Sequence, residues 1–370
     1  MTPIPATLVR PAAGPEPAAT PALAAALART AELDALIAAS PASFTILTGD
    51  RPTGPLHVGH YFGTLAARVR LQQAGVRLFV LIADYQVLTD RADAGELSAR
   101  VDGMIADYLA TGIDPRTATI FAHSAVPALN QLIVPFLSLV SVSELERNPT
   151  VKDEIETSGQ AAVNGLMLSY PVHQAADILS CKANLVPVGK DQLPHLELAR
   201  SIARRFNERY ARGAAFFPVP DPLLSAAPQL LGIDGRKMSK SRGNAIALSA
   251  TPDQTAVLIR RAKTDSRRDI SYEPAARPEV SSLVLLAALC QDRAPADLAA
   301  EIGSGGAAEL KRVVTESVNE FLRPIRARRA EYAADVGYLR QVLHAGNVAA
   351  RQIAERTLAE MRSAMGTLYE

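Results

Sequence analysis

Phe44-Thr45-Ile46-Leu47-Thr48-Gly49-Asp50-Arg51-Pro52-Thr53-Gly54-Pro55-Leu56-His57-Val58-Gly59-His60 is the stretch on which the fold turns. Its first five residues read as a short strand. A proline- and glycine-rich loop fills 51–55, and a helical pattern runs from about 59 to 73. Strand, loop and helix in that order present backbone N–H groups to a phosphate, and the helix N-terminus adds about half a positive charge. Gly59 lets a ligand approach the backbone. His57 and His60, three residues apart, share one face if helical. Two imidazoles there can donate to phosphate oxygens as charge builds in a transition state. Histidines near a helix start also serve as plain caps or surface residues. Two of them without Cys, Asp or Glu beside them are weak evidence for zinc, so no metal site is expected.

Working outward, a continuous apolar run at 78–83 reads as a strand, followed by a helix at 96–111, a strand at 119–122, a strand-like piece at 185–188 and a helix near 191–208. Apolar strands alternating with helices indicate a parallel sheet covered on both faces. The fold class is therefore α/β: a doubly wound parallel-sheet, nucleotide-binding (Rossmann-like) catalytic domain, assigned to 44–245. Residues 1–43 read as a disordered Ala/Pro-rich leader with room for one Ala/Leu helix over 23–39. Past 245 the strand-like runs fade into a mostly helical second domain, 246–345. It carries Arg260, Arg261, Lys263, Arg267 and Arg268, a cluster that reads equally as a solvated face or a nucleic-acid contact. A C-terminal helix within 346–370 is expected to pack back on the first domain.

The 370 residues carry a net charge of +1, which excludes a general nucleic-acid coat and confines any such contact to a local basic patch. Two distant cysteines make no disulfide framework. No apolar run reaches the roughly 20 residues that span a bilayer. Arg10 with Pro11, Pro15, Pro17 and Pro21 does not make a signal peptide. A cytoplasmic protein with no membrane and no DNA contact is the expectation. Only seven of the 39 basic residues are lysine, and two of those seven stand at 237 and 240. A chain that uses arginine almost everywhere places lysine there for its compact, flexible charge, unless the clustering is chance. Lys237-Met238-Ser239-Lys240-Ser241 lies between Gly235 and Gly243 and reads as a mobile loop able to close over a triphosphate. A merely solvated loop is the plain alternative.

Taken together, His57-Val58-Gly59-His60 and the 237–241 pentapeptide resemble the two signatures of class I aminoacyl-tRNA synthetases, with valine for isoleucine in the first. Residues 48–63, Glu144-Leu145-Glu146-Arg147-Asn148-Pro149-Thr150, Tyr170-Pro171-Val172-His173-Gln174-Ala175-Ala176-Asp177-Ile178 and Val186-Pro187-Val188-Gly189-Lys190-Asp191-Gln192 extend the likeness to bacterial-type tryptophanyl-tRNA synthetases across 44–370. The resemblance implies that Arg51, Pro52 and Thr53 touch ATP, that Gly59 and His60 lie under phosphates and ribose, and that Gly189, Lys190 and Asp191 meet the adenosine side. It implies that Lys237, Met238, Ser239, Lys240 and Ser241 close over pyrophosphate, and that the Leu230 backbone meets adenine. Tyr170, Gln174, Asp177 and Gln192 match the tryptophan pocket, with Asp177 accepting the indole N–H. His57, His60, Lys237 and Lys240 are the candidate catalytic residues, supplying a positive field with Mg²⁺ on the phosphates of ATP. L-Tryptophan, tRNA(Trp) and a second copy of the chain are the implied partners, with the helical domain reading the anticodon. A tyrosyl enzyme, a small-molecule adenylating ligase and a non-catalytic paralogue are the rival readings. The Asp177 context, the helical domain with its basic cluster, and the intact His57, His60, Lys237 and Lys240 weigh against them in turn.

Overall fold

A computed structural model describes residues 21–89, 96–158, 163–189, 192–224 and 230–369. The apolar runs fold as β1 (Thr45–Asp50), β2 (Arg77–Ile82), β3 (Ala118–Ala122) and β4 (Leu185–Val188), and a fifth strand, β5 (Asp221–Leu224), joins them. All pairings are parallel, in the order β3-β2-β1-β4-β5. Helices α1 (Pro21–Ala39), α2 (Val58–His60), α3 (Ala66–Gln73), α4 (Leu97–Thr111), α5 (Pro127–Leu137), α6 (Val142–Glu146), α7 (Pro149–Ser158), α8 (Gly165–Ser180) and α9 (Leu193–Tyr210) accompany the strands. Helices α10 (Pro252–Arg261), α11 (Pro278–Gln291), α12 (Pro295–Ile302), α13 (Gly306–Ala334) and α14 (Val336–Met365) follow them. A π-helical turn, Tyr61–Leu65, joins α2 to α3.

Alternation along the strands builds two cores. Ile46, Leu78, Val80, Ile82 and Ile120 face one layer with residues of α4, α11 and α13. Leu47, Phe79, Leu81 and Phe121 face the other with α5, α8, α9 and α14. Successive side chains of a strand point to opposite faces, so a strand buried on both sides is apolar at every position. Burying each such side chain contributes about 1.5–3 kcal/mol.

Chain order reverses between β1 and its neighbour β4, which opens a crevice beyond the C-terminal ends of those strands, where ligands of doubly wound folds sit. Both sheet edges are covered. On β5, the Leu224 N–H donates to Thr30 Oγ1 at 3.1 Å and Arg29 pairs with Asp221 at 2.7 Å, so α1 lies along the edge. On β3, the Ala122 N–H donates to Asn347 Oδ1 at 3.0 Å. Gly346 brings α14 so close that an added Cβ would fall on the Ile120 carbonyl. Gly346→Ala should therefore cost about 1–3 kcal/mol through overpacking, read as a lower urea midpoint.

Candidate active site

The first signature begins where β1 ends. His57 caps α2, its backbone N–H donates to His60 Nδ1 at 3.2 Å, and the two rings lie 3.7 Å apart. Behind them, Tyr61 and Phe62 pack on Phe321 of α13 at 5.0 and 5.1 Å. The Leu56 N–H is held at 3.1 Å by Asp107, whose other oxygen accepts from Arg329 of α13 at 2.5 Å. The helical half of the chain thus fixes the backbone on which the histidines stand.

The second signature is zipped onto the first. The Val58 N–H donates to Ile246 O at 3.0 Å and the Leu248 N–H to Leu56 O at 2.9 Å, an antiparallel bridge centred on His57 and Ala247. Buried Asn244 shapes the loop, accepting from Ser239 N–H at 2.9 Å and donating to Lys237 O at 3.2 Å. Lys240 Nζ reaches the Arg51 carbonyl at 3.1 Å. A Cβ on Gly59 would lie 3.0 Å from the His57 ring and 3.2 Å from Met238 Sδ. A side chain there would crowd the contact between the two signatures, a reason for glycine additional to ligand approach.

Charge differs from the sequence expectation. Burial, with Lys240 nearby, pushes His57 down to about 4. Burial and the neighbouring His57 hold His60 well below the usual histidine range. Both rings are neutral at neutral pH, so they offer hydrogen bonds rather than a positive field. Burial also lowers Lys240, against the pull of Asp50 and Asp107. Burial alone would raise Asp50, but Arg68 at 2.6 Å holds it below the usual carboxylate range, and Tyr108 donates to the same oxygen at 2.8 Å. His57 has a depressed folded pKa, so its contribution to stability is complete above about pH 6.5 and is lost as pH falls toward 4. His57→Gln should flatten the acid-side fall in unfolding free energy across that window, measured by urea titrations at stepped pH.

Tyr170, Gln174 and Asp177 lie at helical spacing on one face of α8. Pro171 lies inside this helix, and Tyr170 is buried. The Tyr170 hydroxyl pairs with His195 Nε2 at 2.8 Å, and His195 Nδ1 meets Asn148 at 3.3 Å. Asp177, 3 % exposed, pairs through Oδ1 with His123 Nε2 at 2.7 Å. The His123 ring stacks on His173 at 4.3 Å and on Tyr85 at 6.4 Å. His123, His173 and Asp177 offer ligand atoms within 4.8 Å of one another, a group the metal-free expectation did not foresee.

Gln174 and Gln192 are half-buried, the latter capping α9. Arg51 is half-buried, Pro52 is buried, and Gly189 follows β4. Lys237 is exposed. The Leu230 side chain belongs to the core, leaving only its backbone for a ligand. Lys190, Asp191 and the Ser241 side chain lie outside the described residues, as do 1–20 of the leader. The five basic residues at 260–268 are all exposed, with Lys263 paired to Glu279 and Arg267 to Asp269. Sequence reading missed Asp50, Arg68, Tyr108, Asp107, Asn244, His123, His173 and His195. A signal existed for Asp50 and His123: each is a polar residue at the C-terminal end of a strand, where this fold binds ligands.

A sheet of this order, with a histidine pair and a lysine loop joined at its switch point, defines a nucleotide-handling α/β enzyme. The family model of class I tRNA synthetases (W and Y) matches residues 40–323, and the chain belongs to that family. A tryptophan–tRNA ligase from Streptococcus pyogenes serotype M1 is 42% identical over 335 residues, covering 88% of this chain and 98% of that protein. One from Treponema pallidum (strain Nichols) is 40% identical over 338 residues, covering 87% and 96%. The crystal structure of tryptophanyl-tRNA synthetase from Campylobacter jejuni complexed with ADP and tryptophan aligns with a TM-score of 0.75 at 29% identity, covering 87% of this chain and 99% of that one.

Proposed function

We propose that this chain is a tryptophan–tRNA ligase: it activates L-tryptophan with ATP, releases pyrophosphate and transfers tryptophan to the 3′-terminal adenosine of tRNA(Trp). The observation that carries the chemistry is the backbone pairing of Leu56 and Val58 with Ile246 and Leu248, which joins both signatures at one end of the sheet. The tryptophan carboxylate attacks the α-phosphate in line. Positioning and charge stabilisation dominate such a transfer. Neutral His57 and His60 donate hydrogen bonds to phosphate oxygens, and Lys237 and Lys240 neutralise the departing pyrophosphate. Arg51, Pro52, Thr53, Gly59 and Gly189 line the nucleotide, with Lys190, Asp191, Met238, Ser239 and Ser241 completing its site.

Mg²⁺ fits as an ion carried in on the phosphates. Asp50, the carboxylate whose charge reaches both histidines and Lys240, is engaged by Arg68 and Tyr108. When bound, Mg²⁺ offsets phosphate charge while the protein supplies donors.

Asp177 receives the indole N–H, and Tyr170, Gln174 and Gln192 surround the amino-acid backbone. The helical part, 246–345, meets the tRNA anticodon. A homodimer is supported by exposed apolar side chains, Val134 and Leu137 on α5 and Val142 opening α6. Among the described residues no helix is long and apolar enough to cross a membrane, in keeping with a cytoplasmic enzyme. The chain contains no tryptophan of its own, so the bound substrate is directly visible. Its fluorescence anisotropy should rise saturably with added protein; no rise would remove the proposal.

A further inference from the structure

Asp177 has one oxygen already in use. Oδ1 takes the 2.7 Å bond from His123 Nε2, while Oδ2 has no partner among the described residues. His123 is itself fully buried, at the C-terminal end of β3, and its plane is set by stacking between His173 and Tyr85, each at 22° to it. His173 stands one helical turn before Asp177 on α8, and both its ring nitrogens are buried without a partner. The result is a carboxylate held from one side by a buried ring that is itself flanked by two others. A buried carboxylate without that bond would be free to turn, and an oriented acceptor is worth more to a ligand than a mobile one.

We propose that His123 is a specificity-determining positioning residue: by donating from Nε2 to Oδ1 it aims Oδ2 of Asp177 at the substrate N–H. This rests on the reading of Asp177 as the indole acceptor. His123 makes no bond to substrate. It acts by fixing which oxygen of Asp177 is presented and in which plane, and His173 acts through it by stacking.

The same residues invite comparison with a metal site. Two ligands at about 2.0 Å from a tetrahedral ion lie about 3.3 Å apart. The 2.7 Å separation of His123 Nε2 and Asp177 Oδ1 is shorter than that and is the length of a charge-assisted hydrogen bond.

The test is ATP–pyrophosphate exchange with full-length His123→Leu, His123→Gln and Asp177→Ala, all confirmed folded by circular dichroism. His123→Leu should raise KM for tryptophan about tenfold, the loss of one hydrogen bond to a charged group, with kcat and KM for ATP within about twofold. His123→Gln, which keeps an N–H donor, should recover most of that loss. The ratio of tryptophan to phenylalanine kcat/KM should fall in His123→Leu and return in His123→Gln. Equal damage by both His123 variants, or a fall in kcat with KM unchanged, would overturn the positioning role. An unchanged KM in His123→Leu, with a raised KM in Asp177→Ala, would overturn this inference and leave the Asp177 reading standing. An unchanged KM in Asp177→Ala would remove the Asp177 reading itself. Co²⁺ added to the wild-type protein supplies a further arm: visible absorption bands that disappear in His123→Leu would mark a metal ligand and overturn the proposal.

Discussion

Lys240→Ala is expected to lower kcat for ATP–pyrophosphate exchange by about 10²–10³, the usual effect of removing one preorganised donor from a developing charge. Lys240 is half-buried, and its ammonium is anchored on the Arg51 carbonyl at 3.1 Å, in the loop proposed to line the nucleotide. Burial lowers its pKa, which marks a poorly solvated charge whose interactions are stronger than they would be in water. KM for tryptophan should change little, because Asp177 and Tyr170 are held by a separate set of partners. Lys237→Ala, at an exposed position, should cost less. Equal losses for the two lysines would contradict the division of labour drawn here.

The second large effect is expected at Asp177. Asp177→Ala should reduce kcat/KM for tryptophan on the order of 10²-fold, since it removes the hydrogen bond proposed between this buried acceptor and the indole N–H. It also leaves His123 Nε2 unpaired in a fully buried position. Exchange driven by phenylalanine, which has no N–H on its ring, should fall much less, so the variant loses discrimination as well as rate. A uniform loss for both amino acids would point to collapse of α8 rather than to a lost recognition contact, and melting curves would separate the two.

Much of this was legible in the sequence. The strands expected at 44–48, 78–83, 119–122 and 185–188 appear at 45–50, 77–82, 118–122 and 185–188; the last three show as apolar runs because they are buried on both faces, the first as a short β-rich run before Gly49. β5 was not legible: Asp221-Pro222-Leu223-Leu224 is short, contains proline and is held at an edge, which proline tolerates. The π turn at Tyr61–Leu65 has no periodic signature of its own. The last helix, expected within 346–370, starts at Val336, where Asp335 caps it by accepting from the Tyr338 N–H at 2.9 Å. In the site, the two signatures were visible as motifs. Their neutral histidines were not, because burial is a property of the assembled fold. His123 stands 54 residues from Asp177, and nothing local in the sequence joins them.

ATP–pyrophosphate exchange with purified protein, run across the amino acids one at a time, distinguishes a tryptophan enzyme from its rivals. Exchange should be rapid with L-tryptophan and slight with tyrosine or phenylalanine. Exchange with tyrosine in preference to tryptophan, or with no amino acid, would contradict the tryptophan assignment.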